Sequence, residues 1–110
     1  MADAPRDPRS VPAGVADLVD YQTDAIVSRI VLKTPAGSVT VFAFDAGQSL
    51  SEHRVPHSVL VHTLDGVVEL TVDGVLHRLH AGEALLMAPD AAHTVRAPER
   101  FKMMLTMLRS

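Results

Sequence analysis

From Ala25 onward the chain repeats one device: a short run of alternating or β-branched apolar residues, closed by a tight turn. AIVSRIVLK ends at Pro35–Gly37, and SVTVFAF ends at Asp45–Gln48. VLVHTL (Val59–Leu64) ends at Asp65–Gly66, and VVELTV (Val67–Val72) at Asp73–Gly74. VLHRLH (Val75–His80), ALLM (Ala84–Met87), HTVRA and RFKMMLTML complete the series. Asp-Gly between two such runs is the strongest short signal for a β-hairpin, so both Asp-Gly pairs are expected to close hairpins. In VVELTV, Val68, Leu70 and Val72 fall on one face while Glu69 and Thr71 fall on the other. About eight or nine short strands with this punctuation specify an all-β sandwich or barrel. No stretch after Tyr21 carries a sustained helical period. Curling the sheets on themselves also removes open edges, which a chain rich in Val, Leu and Met needs.

The first 24 residues do not share the pattern, and they form an N-terminal arm and first edge element ahead of a barrel at 25–110. Residues 1 to 14 carry Pro5, Pro8 and Pro12 with mixed charge and nothing to bury, which reads as a frayed tail. Val15–Tyr21 fits one helical turn or an edge strand equally well. With 110 residues the chain supports one core. A net charge of −3 argues against nucleic acid, which demands a concentrated basic surface. No apolar run approaches the ~20 residues that span a bilayer. With no cysteine there are no disulfides and no thiolate metal sites. The N-terminus lacks the apolar segment of a secretory signal, so a cytoplasmic location is expected.

Chemistry concentrates between Gly47 and Gly66. GQSLSEHRVPHSVLVHTLDG holds His53, His57 and His62, and His93 follows in GEALLMAPDAAHTV. Imidazole is the commonest side-chain metal ligand and titrates near neutral pH, so the cluster points to a metal or an acid–base site. Positions four apart on a straight strand lie ~13 Å from one another, too far to share an ion. His53 and His57 therefore converge only if the chain bends at Pro56. His62 falls on the opposite strand face from Val59, Val61 and Thr63 unless a bulge intervenes. Glu52 can offer an oxygen ligand or orient the His53 ring. His77 and His80, flanking Arg78, read as a solvated face. Met87, Met103, Met104 and Met107 read as core filler or pocket lining, because the thioether fits irregular gaps. There is no nucleophile elbow, phosphate-cradling glycine loop or carboxylate pair at catalytic spacing.

These residues carry a resemblance. Gly47, His53 and the strand from Val59 to Gly66 look like the first motif of the cupin family, and Gly82, Pro89 and His93 look like the second. The likeness spans roughly Ser38 to Ala97 and implies a double-stranded β-helix, or jelly-roll, of two antiparallel sheets with a pocket between them. RFKMMLTMLRS is similar to the closing strand of small single-domain cupins. Metal-binding members typically use two histidines one residue apart and a glutamate in the first motif, with the histidine of the second. Matched by position, His53 and His93 stand at the first and last ligands, while Val55 and Val59 stand where the second histidine and the glutamate would be.

The resemblance implies a homodimer and a pocket for a small-molecule ligand or substrate. The leading expectation is one divalent transition metal (Fe, Ni, Cu, Zn or Mn) on His53, His57 and His93, with Glu52 and His62 as additional pocket residues. An open position on such a metal would serve a dioxygenase, isomerase or decarboxylase. The alternative is a non-catalytic ligand-binding or sensor cupin with a degenerate, metal-free site, since valines at 55 and 59 make the pocket more apolar.

Overall fold

The computed structural model describes residues 7–109; residues 1–6 of the expected tail lie outside them. Among the described residues nine strands follow a single 3₁₀ turn at Val15–Leu18. They are β1 (Ile26–Thr34), β2 (Gly37–Phe44), β3 (Ser49–His53), β4 (Ser58–Asp65) and β5 (Val67–Val72), followed by β6 (Val75–His80), β7 (Ala84–Met87), β8 (His93–Arg96) and β9 (Phe101–Leu108). One sheet has the order β1-β2-β9-β4-β7 and the other β3-β8-β5-β6, with antiparallel pairing throughout. The two-sheet, all-β build is the one the turn pattern leads to, and its strand order is the jelly-roll that the resemblance implies.

The two Asp-Gly pairs do different work. Asp73–Gly74 closes a two-residue hairpin, with Val72 opposite Val75 and both central residues at positive φ (47° and 82°). That conformation matches the twist of the flanking strands. Asp65–Gly66 closes no hairpin, a correction to the expectation. β4 pairs with β7 and β9, whereas β5 pairs with β6 and β8, so this turn carries the chain from one sheet to the other. A Cβ on Gly66 would stand 2.5 Å from the Arg100 carbonyl oxygen, which explains glycine at that corner.

Period-2 alternation decides what faces inward. Paired strands of the larger sheet stack their inward residues in rows. Ser38, Met107, Val59 and Met87 form one, Thr40, Leu105 and Val61 the next, and Phe42, Met103 and Thr63 a third. Beyond them Phe44 and Phe101 stack with centroids 4.6 Å apart, both fully buried with Val68 and Leu70. The buried Thr63 hydroxyl donates to the Leu79 carbonyl at 3.1 Å, so no polar atom is stranded there.

Within Val15–Tyr21, Val15–Leu18 form a 3₁₀ turn that, with the extended Val19, covers part of the outer face of the larger sheet. Leu18 and Val19 are buried against Val41 and Ala43. Arg29 donates to the Leu18 carbonyl (3.2 Å) and Lys102 to that of Ala16 (2.7 Å). The Tyr21 hydroxyl donates to Asp65 at 2.6 Å, beneath the Arg100 guanidinium. Burial, then the Asp65 carboxylate, hold this phenol well above its ordinary pKa. Among the described residues no helix is long and apolar enough to cross a membrane.

Candidate functional site

The open half of the barrel holds a cavity of about 150 Å³ between the sheets. β2 contributes Ser38, Thr40 and Phe42; β9 contributes Met103, Leu105 and Met107. His53 and His93 reach the cavity from the smaller sheet, from β3 and β8. Val55 and Val59 line it as well, so the two positions where metal-binding cupins carry ligands are occupied by aliphatic side chains.

A bulge puts His53 there. Leu50 lies opposite Val95 and His53 opposite His93, so Ser51 and Glu52 together face the single residue Thr94. In a regular strand, residues three apart point to opposite faces. The extra residue restores parity, and both Leu50 and His53 line the cavity. Glu52 is thereby turned out to solvent, and it does not reach the pocket as an additional site residue. The bulge was not legible in the sequence, because SLSEH gives no glycine or proline to mark it.

The two imidazoles meet directly. Their Nε2 atoms are 2.9 Å apart and the rings lie edge to face, with centroids separated by 4.0 Å. Each ring also points its Nδ1 at the carbonyl oxygen two residues earlier, Ser51 for His53 and Ala91 for His93, both at 3.1 Å. A carbonyl oxygen only accepts, so an Nδ1 bonded to it carries the proton. The Nε2–Nε2 contact needs a third proton, yet two neutral imidazoles carry only two N–H groups. With both rings neutral and both carbonyl bonds made, two lone pairs face each other across the contact. His93 is only 6% exposed. Burial is the main cause that lowers its pKa, the Ala91 carbonyl works against this, and nearby His53 lowers it further. A cation or a donor O–H from outside would relieve the facing lone pairs.

The other expected site residues are placed elsewhere. His57, half-buried after Pro56 in the β3–β4 connection, is not among the cavity-lining side chains. His62 lies on the outer face of β4, beside Met104 and Ala84 in register, as strand parity requires. His80 is exposed and contacts Glu83 at 3.2 Å, whereas His77 is half-buried and stands opposite Leu70. Among the described residues no group of three or more His, Cys, Asp or Glu side chains is placed to hold a metal ion. The cavity thus offers two imidazole nitrogens, short of the three protein ligands of a catalytic zinc site. Ser38 and Thr40 were missed as pocket residues, although the alternation of SVTVFAF places them on one face with Phe42 and Phe44.

The jelly-roll topology agrees with comparisons to known proteins. The family model described as "Cupin domain" matches residues 40–108, and the chain belongs to the cupin family. It superposes on a cupin superfamily protein from Desulfitobacterium hafniense with a TM-score of 0.89 at 23% identity, covering 99% of this chain and 100% of that one. A conserved protein of unknown function from Streptococcus pyogenes matches with a TM-score of 0.85 at 27% identity, over 90% of this chain and 87% of that one. A cupin 2 conserved barrel domain protein from Leptotrichia buccalis is 34% identical, with a TM-score of 0.82, over 86% of this chain but 46% of that one. Among curated proteins none matches the sequence.

Proposed function

We propose that this cupin binds a small molecule in its barrel cavity and that the His53–His93 pair is the polar recognition element, without a resident metal. The observation that carries the reading is the 2.9 Å contact between two Nε2 atoms whose rings spend their Nδ1 protons on backbone carbonyls. The contact lacks a proton when both rings are neutral, and a bound molecule can supply one. The valines at 55 and 59 support it, since ligand pockets are mostly apolar with a few placed polar groups. The test is a fragment screen on chelator-treated protein, followed by imidazole ¹⁵N spectra. Hits that perturb His53 and His93 together, and are lost in His93→Ala, are the expected result. Hits that bind with both imidazoles unmoved would overturn the reading.

A second reading, one divalent transition metal on the same pair, is favoured by the convergence itself. Two nitrogens 2.9 Å apart can share an ion at ordinary bond lengths of about 2.0–2.1 Å. His57 would have to swing in from its loop to give the third ligand of the expected set, His53, His57 and His93. Such an ion would supply Lewis acidity for an enzyme of the dioxygenase, isomerase or decarboxylase type. Elemental analysis after reloading with Fe, Ni, Cu, Zn or Mn decides between the readings. Roughly one equivalent per chain, reduced in both His93→Ala and His57→Ala, establishes the metal and displaces the first reading.

A homodimer fits the exposed leucines on the outer face of β4, β7 and β9, where Leu60, Leu86 and Leu108 would be covered by a second copy. Sedimentation at micromolar concentration showing a monomer would exclude it.

A further inference from the structure

The cavity's lining restricts the kind of molecule it can hold. Four of its side chains are polar, Ser38, Thr40, His53 and His93, and the rest are aliphatic, thioether or phenyl. Among the described residues no Lys, Arg, Asp, Glu, Asn, Gln or Tyr lines it. A carboxylate, phosphate or ammonium entering this space would leave water without meeting a fixed counter-charge, which is strongly unfavourable. A sugar would bring several hydroxyls to two hydroxyls and one imidazole pair.

Size and shape narrow the choice further. The cavity measures about 150 Å³, and engineered apolar cavities of about that volume accept benzene. Met87, Met103 and Met107 line it together with Phe42, and thioether sulfur makes favourable contacts with aromatic rings. The polar end sets the direction of the hydrogen bond. With both Nδ1 protons on carbonyls, the imidazole pair offers Nε2 lone pairs, so it accepts from a donor.

We propose that the cavity takes a small neutral phenol-class molecule, whose hydroxyl donates to the His53–His93 pair while its ring lies among Met87, Met103, Met107 and Phe42. This rests on the reading of the histidine pair as a recognition element, and adds to it a ligand class defined by charge, volume and donor polarity. Loss of the hydroxyl leaves the lone pairs facing one another, and gain of a carboxylate adds an uncompensated charge, so both changes weaken binding.

The test titrates phenol, benzene and benzoate separately into the full chain. The readouts are the methionine methyl and imidazole ¹⁵N resonances. Met104 faces away from the cavity on β9 and serves as an internal control. Phenol is expected to shift Met87, Met103 and Met107 but not Met104, to shift both imidazoles, and to bind at least about tenfold more tightly than benzene. Benzoate is expected to bind at least about tenfold more weakly than phenol. In His53→Gln, altered at the exposed member of the pair, benzene binding should persist while the phenol advantage shrinks. Benzoate binding more tightly than phenol and shifting the imidazoles would overturn the ligand class while leaving the histidine reading intact. Phenol binding no better than benzene, with the imidazoles unmoved, would overturn both. No methionine methyl responding to any of the three also removes the proposal, and leaves the histidine pair to be judged by the fragment screen.

Discussion

The two halves of the barrel are built by one alternation but filled differently. Along β2 the inward residues run Ser38, Thr40, Phe42, Phe44, and along β9 they run Met107, Leu105, Met103, Phe101. At one end two stacked phenyl rings pack with the buried Val68, and Leu70 stands at the border with the cavity. At the other, small hydroxyl residues and flexible thioethers stand opposite two imidazoles and leave a cavity. Strand pairing treats the halves alike, and side-chain volume separates them. The closed half holds the sheets together, and the open half is free to vary its chemistry.

The sharpest way to break this contrast is to empty the closed half. Phe101→Ala should cost about 3–5 kcal/mol in chemical denaturation, because the ring is fully buried and its stacked partner Phe44 loses a face. The corner beside it comes next. Gly66→Ala strains a residue at φ +72° and also drives its Cβ against backbone, with the Arg100 oxygen at 2.5 Å and the Phe101 Cα at 3.2 Å. Gly74→Ala meets nothing within 4 Å and carries only the left-handed strain, about 1–2 kcal/mol. Gly66→Ala should therefore be the more destabilising of the two in the same denaturation series. Equal costs would mean that the inter-sheet corner relaxes as readily as an exposed hairpin.

In the open half the same kind of truncation should be cheaper. Met107→Ala enlarges a space that already exists, and Met107 is only half-buried, so its cost is expected below the ~2–5 kcal/mol of a core Met→Ala change. A loss as large as that of Phe101→Ala would show that the thioethers are core after all, and that the cavity is not a preformed binding space.

Much of this fold was legible because alternation and turn residues act locally. Glu69 and Thr71 point outward and Val68 and Leu70 inward, as their spacing requires. What stayed hidden depends on pairing between distant segments. SLSEH carries too few apolar residues to announce β3, and its bulge exists only relative to β8, so the choice of His53 over Glu52 could not be made from the chain alone. The two Asp-Gly pairs make the same point. At Asp73–Gly74 both residues take positive φ between paired strands, whereas at Asp65–Gly66 only the glycine does and the turn runs between sheets. For the site, His53 and His93 both line the cavity, whereas the convergence expected of His57 depends on the path of the chain after Pro56, which no local pattern fixes.

The smallest expected effect is also the most specific to the open half. Burial lowers the pKa of His93 below the ordinary histidine value, with His53 contributing and the Ala91 carbonyl opposing. The unfolded chain then binds a proton at this residue more readily than the folded one, so stability rises with pH across that interval. The contribution is complete above about pH 6.5 and is lost as the pH falls through the lowered folded value. Asp45 and Glu83 also have lowered pKa values, set chiefly by backbone N–H groups of Asp24 and His80, but as carboxylates they begin to matter only below about pH 4.5. Between pH 7 and 5, therefore, the wild-type midpoint in urea should decline, and His93→Gln should flatten that decline. If His93→Gln leaves the decline as steep as in the wild type, proton uptake in this interval belongs elsewhere in the chain, and the open half has no special electrostatics.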